Sequence, residues 1–368
     1  MQKSETIPLT ALRQLQLEMG FACNIRCVMC FQENYSQRLD PVVWRESLAP
    51  IYPRVAHVTL GGGEPTVYKD SWQVLEQILA VNQSVRFGIS TNGILFDEPW
   101  CDLFIRHGRN INFSINGATR EVHEAVNKGS RWDGVMENIA RVVEARNATG
   151  RDLLIAISMV IVQENVHELT DFLRLGQRLG VNVKFFYDAT RLPSGDLKVA
   201  EEIARAQAVA RETEGVIRIA GLDAFCRHYA ARYGGPAQTG GLAQKGGPAA
   251  PPPACALPWS AIHVDRLGEV RFCCWSYASL GNLRRQGIEE VWNSRRARLV
   301  RRKMAADDFR WCSAACELNP HPTFGLDRVK LAYYISRFST EFSASPDEAM
   351  RKVVRRAGEF ARRRRSAP

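Results

Sequence analysis

Cys23, Cys27 and Cys30 stand in the order C-x3-C-x2-C on one short segment, GFACNIRCVMCF, running from Gly20 to Phe31. Three thiolates this close on one loop can take three corners of a 4Fe-4S cluster and leave the fourth iron without a protein ligand. An iron left open in this way can meet a substrate. Zinc is the alternative for such a triplet, but it calls for a fourth ligand and more often for paired C-x2-C units, and none lies close by. A second set, Cys255, Cys273, Cys312 and Cys316, gathers toward the C-terminus, so seven of the ten cysteines fall into two spaced groups. Cys101, Cys226 and Cys274 have no evident partners.

The chain has 368 residues, 45% hydrophobic and 24% charged, a soluble composition with room for one large core and a smaller appendage. It has no run of about 18 apolar residues, and MQKSETIPLTALRQ lacks the apolar stretch of a secretory signal, so the expectation is a cytoplasmic protein without membrane contact. Thiols are kept reduced in that compartment, which turns the cysteines toward metal rather than disulfides. Much of the net charge of +10 comes from Arg351, Lys352, Arg355, Arg356 and the run Arg362 to Arg365, on an expected helical tail over residues 321–368. Such a run could attract RNA or another anionic partner. A solvated, frayed tail is the plainer expectation, and no nucleic-acid partner is expected.

The elements that must position the first cysteine set alternate short apolar runs with helix-period segments between residues 15 and 190. That alternation is the pattern of βα units around a parallel sheet. Strands are expected near Leu15 to Met19, Val55 to Leu60, Val85 to Ser90, Ile111 to Ile115, Leu153 to Ile161 and Val183 to Tyr187. Helices are expected over segments such as Trp132 to Ala148 and Val166 to Leu179, whose apolar residues recur at three- and four-residue spacing. The fold class is therefore α/β, a partial (β/α)6 TIM-like barrel within residues 13–233. Residues 234–254, dense in glycine and proline, read as a linker or mobile loop. Beyond them, Ala261 to Val264 and Glu269 to Cys273 flank Asp265-Arg266-Leu267-Gly268 as a β-hairpin, followed by a helix near Ile288 to Asn293, in a small domain over residues 255–320. There is no internal repeat.

Over roughly residues 13 to 190 the chain resembles the radical S-adenosylmethionine superfamily. The cysteine signature at the start of the barrel carries the resemblance, together with Gly61-Gly62-Gly63-Glu64-Pro65 after the second strand, Ser90-Thr91-Asn92-Gly93 after the third, and Ser114-Ile115-Asn116-Gly117 after the fourth. These lie at the strand ends where α/β barrels build their sites. The resemblance implies that the open iron chelates the amino and carboxylate groups of S-adenosylmethionine, whose sulfonium bond is then broken to give a 5′-deoxyadenosyl radical. It implies that Gly61, Gly62, Gly63 and Glu64 form the loop meeting the amino group, that Asn92 belongs to the neighbouring turn, and that Ser114 and Asn116 lie near the ribose and carboxylate. It also places adenine against the apolar end of the fifth strand, around Val160. Two positions depart from the usual pattern: Met29 precedes the third cysteine where an aromatic is common, and Asn116 replaces an aspartate. As residues alone, the glycine run and both turns also fit ordinary turn chemistry.

The second set resembles the SPASM and twitch extensions of one branch of that superfamily, through Cys255, Gly268 and Cys273 in a C-x(9–15)-G-x4-C opening, then Gly281-Asn282-Leu283, Glu290 to Ser294, and Cys312-Ser-Ala-Ala-Cys316. The resemblance implies that Cys255, Cys273, Cys312 and Cys316 ligate one auxiliary 4Fe-4S cluster. No C-x2-C-x5-C-x3-C run follows, which favours the shorter twitch type. Zinc held by the same four thiolates remains the alternative, as does Cys274 in place of Cys273. Cys101 and Cys226 read as buried thiols.

The implied activity is hydrogen abstraction from a substrate, ending in oxidation or epimerisation, with electrons from a flavodoxin- or ferredoxin-type donor. Tyr187, Asp188 and Arg191, after the last strand, are the candidate substrate contacts. Barely twenty residues precede Cys23, which points to a small hydroxylated metabolite, such as a sugar, aminocyclitol or nucleoside. A peptide substrate is the second expectation. A non-catalytic iron-sulfur or zinc scaffold that binds RNA is the third.

Overall fold

The computed structural model describes residues 6–30, 36–188, 192–234, 255–313 and 316. Six parallel strands form its centre: β1 (Gln14–Glu18), β2 (His57–Gly61), β3 (Arg86–Thr91), β4 (Gly108–Ser114), β5 (Leu154–Ile161) and β6 (Asn182–Tyr187). All six expected strands are present. Their ends differ by up to three residues, most at Gly108, where ladder pairing with Phe87 begins before the apolar run.

Helices α1 (Lys69–Val81), α2 (Glu98–His107), α3 (Arg120–Val126), α4 (Trp132–Thr149) and α5 (Leu169–Leu179) make the crossovers. α1, α2, α4 and α5 each turn an apolar stripe to the core, as Val74, Leu75 and Ile78 do in α1, whereas the short α3 buries only His123 and Val126. The connection from β1 to β2 is the exception. It makes a five-residue π-turn, Val43–Ser47, and a 3-10 turn, Ala49–Ile51, and still buries Val43, Trp44, Leu48, Ile51 and Tyr52. Beyond β6 the chain continues through α6 (Leu197–Glu212), the short strand β7 (Ile219–Ala220) and α7 (Leu222–Tyr233).

The sheet does not stop at six strands. β7 pairs with β6, and on the opposite side β8 (Ala261–Val264) pairs in parallel with β1, in register from Gln14↔Ala261 to Leu17↔Val264. β8 returns antiparallel as β9 (Glu269–Arg271), beside the two-residue β10 (Gly281–Asn282). The expected hairpin thus exists, turned by Gly268 at φ +77°, and it covers the edge of β1 that an open barrel leaves unpaired. One buried core runs from the barrel through Val264, Val270, Phe272 and Trp292. Helices α8 (Ile288–Trp292) and α9 (Arg295–Ala305) follow, and Trp292 Nε1 donates to Ile7 O at 3.0 Å. Most of the expected linker, residues 235–254, and the expected tail, 321–368, lie outside the described residues. Among those described, no helix is long and apolar enough to cross a membrane.

Candidate active site

β1 ends at Glu18, and the chain turns at Gly20 into the first cysteine loop beside the end of β2. Backbone bonds zip the two together: Met19 N donates to Gly61 O at 3.0 Å, Gly63 N to Gly20 O at 2.7 Å, and Glu64 N to Ala22 O at 2.8 Å. A Cβ on Gly62 would fall 2.5 Å from Gly20 O, and one on Gly63 would fall 2.2 Å from Ala22 O. Only glycine lets the two backbones run this close. A Cβ on Gly61 would meet nothing within 4 Å, so that residue faces open space.

Cys23 and Cys27 are half-buried and Cys30 is exposed. Cys27 is held by a two-residue antiparallel ladder, Arg26–Cys27 against Asn127–Lys128, and its Sγ lies 3.3 Å from Asn127 Oδ1. Asn92 Nδ2 reaches Asn24 Oδ1 at 2.7 Å and lies 3.8 Å from Cys23 Sγ. Burial, then the charges of Cys30 and Cys23, push the Cys27 thiol up to about 12. Burial also raises Cys23, with Glu64 and Cys30 adding to it. Thiols that resist ionising next to one another on a partly open loop suit a cationic cluster, which replaces their protons on binding.

Glu64 is 1% exposed, and its carboxylate is turned inward. It accepts from Thr66 N (3.1 Å), Thr66 Oγ1 (2.7 Å), Thr91 Oγ1 (2.8 Å) and Asn92 N (2.6 Å), so it ties the glycine loop to the Thr91-Asn92-Gly93 turn. Burial nonetheless raises its pKa. Asn116, at φ +53°, is also inward: its Oδ1 accepts from Val160 N at 2.7 Å, and its Nδ2 donates to Asn127 Oδ1 at 2.8 Å. Ser114, with Ser158 Oγ at 3.4 Å, and Val160 are partly exposed at neighbouring strand ends. Gly61, Asn92, Ser114 and Val160 therefore ring the same open end of the barrel as the three cysteines.

The second set also converges. Cys255, Cys273, Cys312 and Cys316 line one cavity of about 390 Å³ between β6–α7 and the C-terminal hairpin. The Cys312 turn is docked on the chain after Cys273 by Tyr277 N to Trp311 O (2.9 Å) and Ser313 N to Trp275 O (2.8 Å). Burial raises Cys273 and Cys255, and Cys316 adds to both. Cys274 is not among the residues lining that cavity; it lies against the Gln16 side chain, and burial raises its thiol, with the nearby charge of Cys316 adding to it. Four thiols around a shared cavity fit a polynuclear cluster. Cys101 and Cys226 are buried.

Of the expected substrate contacts, Tyr187 lines this cavity and its Oη lies 2.7 Å from His228 Nδ1. Asp188 is exposed beside it, and Arg191 lies outside the described residues. Sequence reasoning missed several residues that build the site. Asn127, fully buried, bonds Ser114 O, Ile115 O, Asn116 and Cys27 at once. Tyr68 Oη accepts from Ala22 N at 2.6 Å, and buried His123 joins Ile115 O to Ser130 Oγ. Arg266, at the hairpin turn, pairs with Glu18. Only the turn residues Asn127-Lys128-Gly129 carried a local signal, that of a tight turn.

A family model described as the Radical SAM superfamily matches residues 17–176, and one described as SPASM, an iron-sulfur cluster-binding domain, matches residues 255–317. The mycofactocin maturase MftC of Mycobacterium ulcerans is 30% identical over 187 residues, covering 49% of this chain and 48% of the relative. A GTP 3′,8-cyclase of Desulforamulus reducens is 23% identical over 181 residues, covering 47% of this chain and 54% of the relative. The chain spans about half the length of these curated relatives. Among solved structures, SuiB of Streptococcus suis aligns with a TM-score of 0.57 at 15% identity, over 87% of this chain and 77% of SuiB. SuiB has also been solved bound to the precursor peptide SuiA. At that identity the likeness shows the fold alone.

Proposed function

We propose, for a chain that belongs to the radical S-adenosylmethionine superfamily and carries a SPASM domain, that this radical enzyme is a maturase acting on a precursor peptide. The observation that carries the reading is the 30% identity to proteins named maturases. A fold shared with SuiB, solved with a precursor peptide, supports it. The small hydroxylated metabolite is the weaker reading, because the relatives at 30% identity are named maturases.

In this reading Cys23, Cys27 and Cys30 hold the cluster that, when bound, supplies the electron that splits S-adenosylmethionine into a hydrogen-abstracting radical. The chain's own part is positioning. Gly61, Gly62 and Gly63 present backbone to the amino group, with Glu64 fixing the loop from behind. Asn92 and Ser114 flank the ribose and carboxylate, Asn116 sets the end of β5, and Val160 offers an apolar seat for adenine. Cys255, Cys273, Cys312 and Cys316 hold the auxiliary cluster, beside Tyr187 and the exposed Phe186 and Trp275, a wall suited to an extended peptide. A flavodoxin- or ferredoxin-type donor supplies the electrons.

The test is anaerobic reconstitution with S-adenosylmethionine, dithionite and short peptides encoded beside this protein's gene. The expected result is a mass change in one peptide, with 5′-deoxyadenosine formed in step. Turnover of a sugar, aminocyclitol or nucleoside, with every peptide unchanged, would replace the peptide reading.

A further inference from the structure

α9 carries Arg301 on its inner face, 4% exposed. Its Nε donates to Pro258 O at 2.8 Å, and its guanidinium stacks 4.2 Å from the Trp292 ring centroid and 5.0 Å from that of Phe272. Among the described residues, Nη1 and Nη2 have no hydrogen-bond partner. Burial lowers its proton affinity, to about 10, which leaves it fully charged at neutral pH. Two ring faces and one carbonyl return less than the desolvation of a guanidinium costs, so a buried cation in this position calls for an anion.

Its surroundings say where that anion is. Pro258 and Phe272 both line the cavity that Cys255, Cys273, Cys312 and Cys316 share. Pro258 lies three residues after Cys255, and Phe272 immediately precedes Cys273. The thiolates of Cys255 and Cys273 are the anionic groups nearest in sequence to these two contacts.

We infer that Arg301 is a positioning residue for the auxiliary cluster, a buried counter-charge that favours its reduced state. The inference rests on these four cysteines holding that cluster. A cation behind the cavity wall stabilises the more negative redox state more than the less negative one. It therefore raises the potential and makes the cluster a better electron acceptor.

Iron and sulfide analysis of the Cys30→Ala protein first establishes the auxiliary cluster by itself. If no cluster is found, the ligand assignment fails rather than the role of Arg301. With the cluster present, its midpoint potential is measured by redox titration followed by electron paramagnetic resonance. Arg301→Gln should lower the potential by a tenfold change in the reduction equilibrium or more, 59 mV for one electron. Arg301→Lys, which keeps the charge, should stay close to the parent. An unchanged potential in Arg301→Gln, as expected if a carboxylate elsewhere in the chain is the partner, overturns the inference. So does a fall in Arg301→Lys equal to that in Arg301→Gln. A second measurement needs no loaded cluster. In a Cys312→Ala background the guanidinium has lost its anion, so Arg301→Met should raise the melting temperature. An equal or lower melting temperature counts against the inference.

Discussion

Arg266 reaches across 248 positions of sequence to Glu18, its Nη1 donating to Glu18 Oε1 at 2.9 Å. The same guanidinium lies 3.6 Å from the ring centroid of Phe21, two residues before Cys23, and bonds Gln37 through Nε. The hairpin turn that follows β8 is thereby locked onto the entry to the first cysteine loop. The C-terminal segment is part of the wall around the first site.

Arg266→Met should accordingly disturb a site it does not belong to. Arg266 is almost wholly buried and Glu18 nearly so, and removing one partner of such a pair costs about 3 kcal/mol. The expected outcome is a lower melting temperature and weaker S-adenosylmethionine binding by calorimetry, with the auxiliary cluster retained. Binding at the parental affinity would show that the hairpin is dispensable for the first site.

Asn127→Asp changes one amide to a carboxylate 3.3 Å from Cys27 Sγ. A negative charge there disfavours the thiolate that metal binding requires. The variant should also lose its two donations to Ser114 O and Ile115 O, at about 1 kcal/mol each, with Ile115 O still bonded by His123. Iron content should drop by about four per chain, the complement of one cluster. Full iron loading would contradict the assigned role.

His123 gives the barrel an acid-sensitive joint. It is fully buried, and desolvation, only partly offset by its bond to Ile115 O, lowers its pKa. A group with a lowered folded pKa contributes stability that is complete above the unfolded value near 6.5 and is lost as pH falls from there through the folded value. Melting temperatures between about pH 8 and pH 5 should decline on the acid side, and His123→Gln should flatten that decline while lowering the plateau. A variant with an equally steep acid limb would move the sensitivity to another group.

The two cysteine sets should separate by their variants. Cys30 is exposed and lies outside the core, so Cys30→Ala should leave the barrel folded by circular dichroism while 5′-deoxyadenosine formation ceases. Cys312→Ala should keep 5′-deoxyadenosine formation and lose the modified product. Each variant should retain about four of the roughly eight irons of two clusters. Product formed at an undiminished rate by folded Cys312→Ala carrying one cluster would remove the electron-transfer role of the auxiliary site.

What could be read from the sequence was local. The C-x3-C-x2-C spacing, the glycine run after the second strand, the hairpin around Gly268 and the six apolar runs each depend on residues a few positions apart, where backbone geometry alone determines who meets whom. The tertiary structure decided the rest. That Cys273 rather than Cys274 lines the cavity follows from which way one turn faces. That Glu64 and Asn116 turn inward follows from backbone donors supplied by neighbouring strands. Asn127 meets Cys27 across 100 positions, and Arg266 meets Glu18 across 248. No periodicity encodes such contacts. They exist because strand register and the closing of the sheet onto β8 bring distant polar groups into one desolvated space, where each must find a partner.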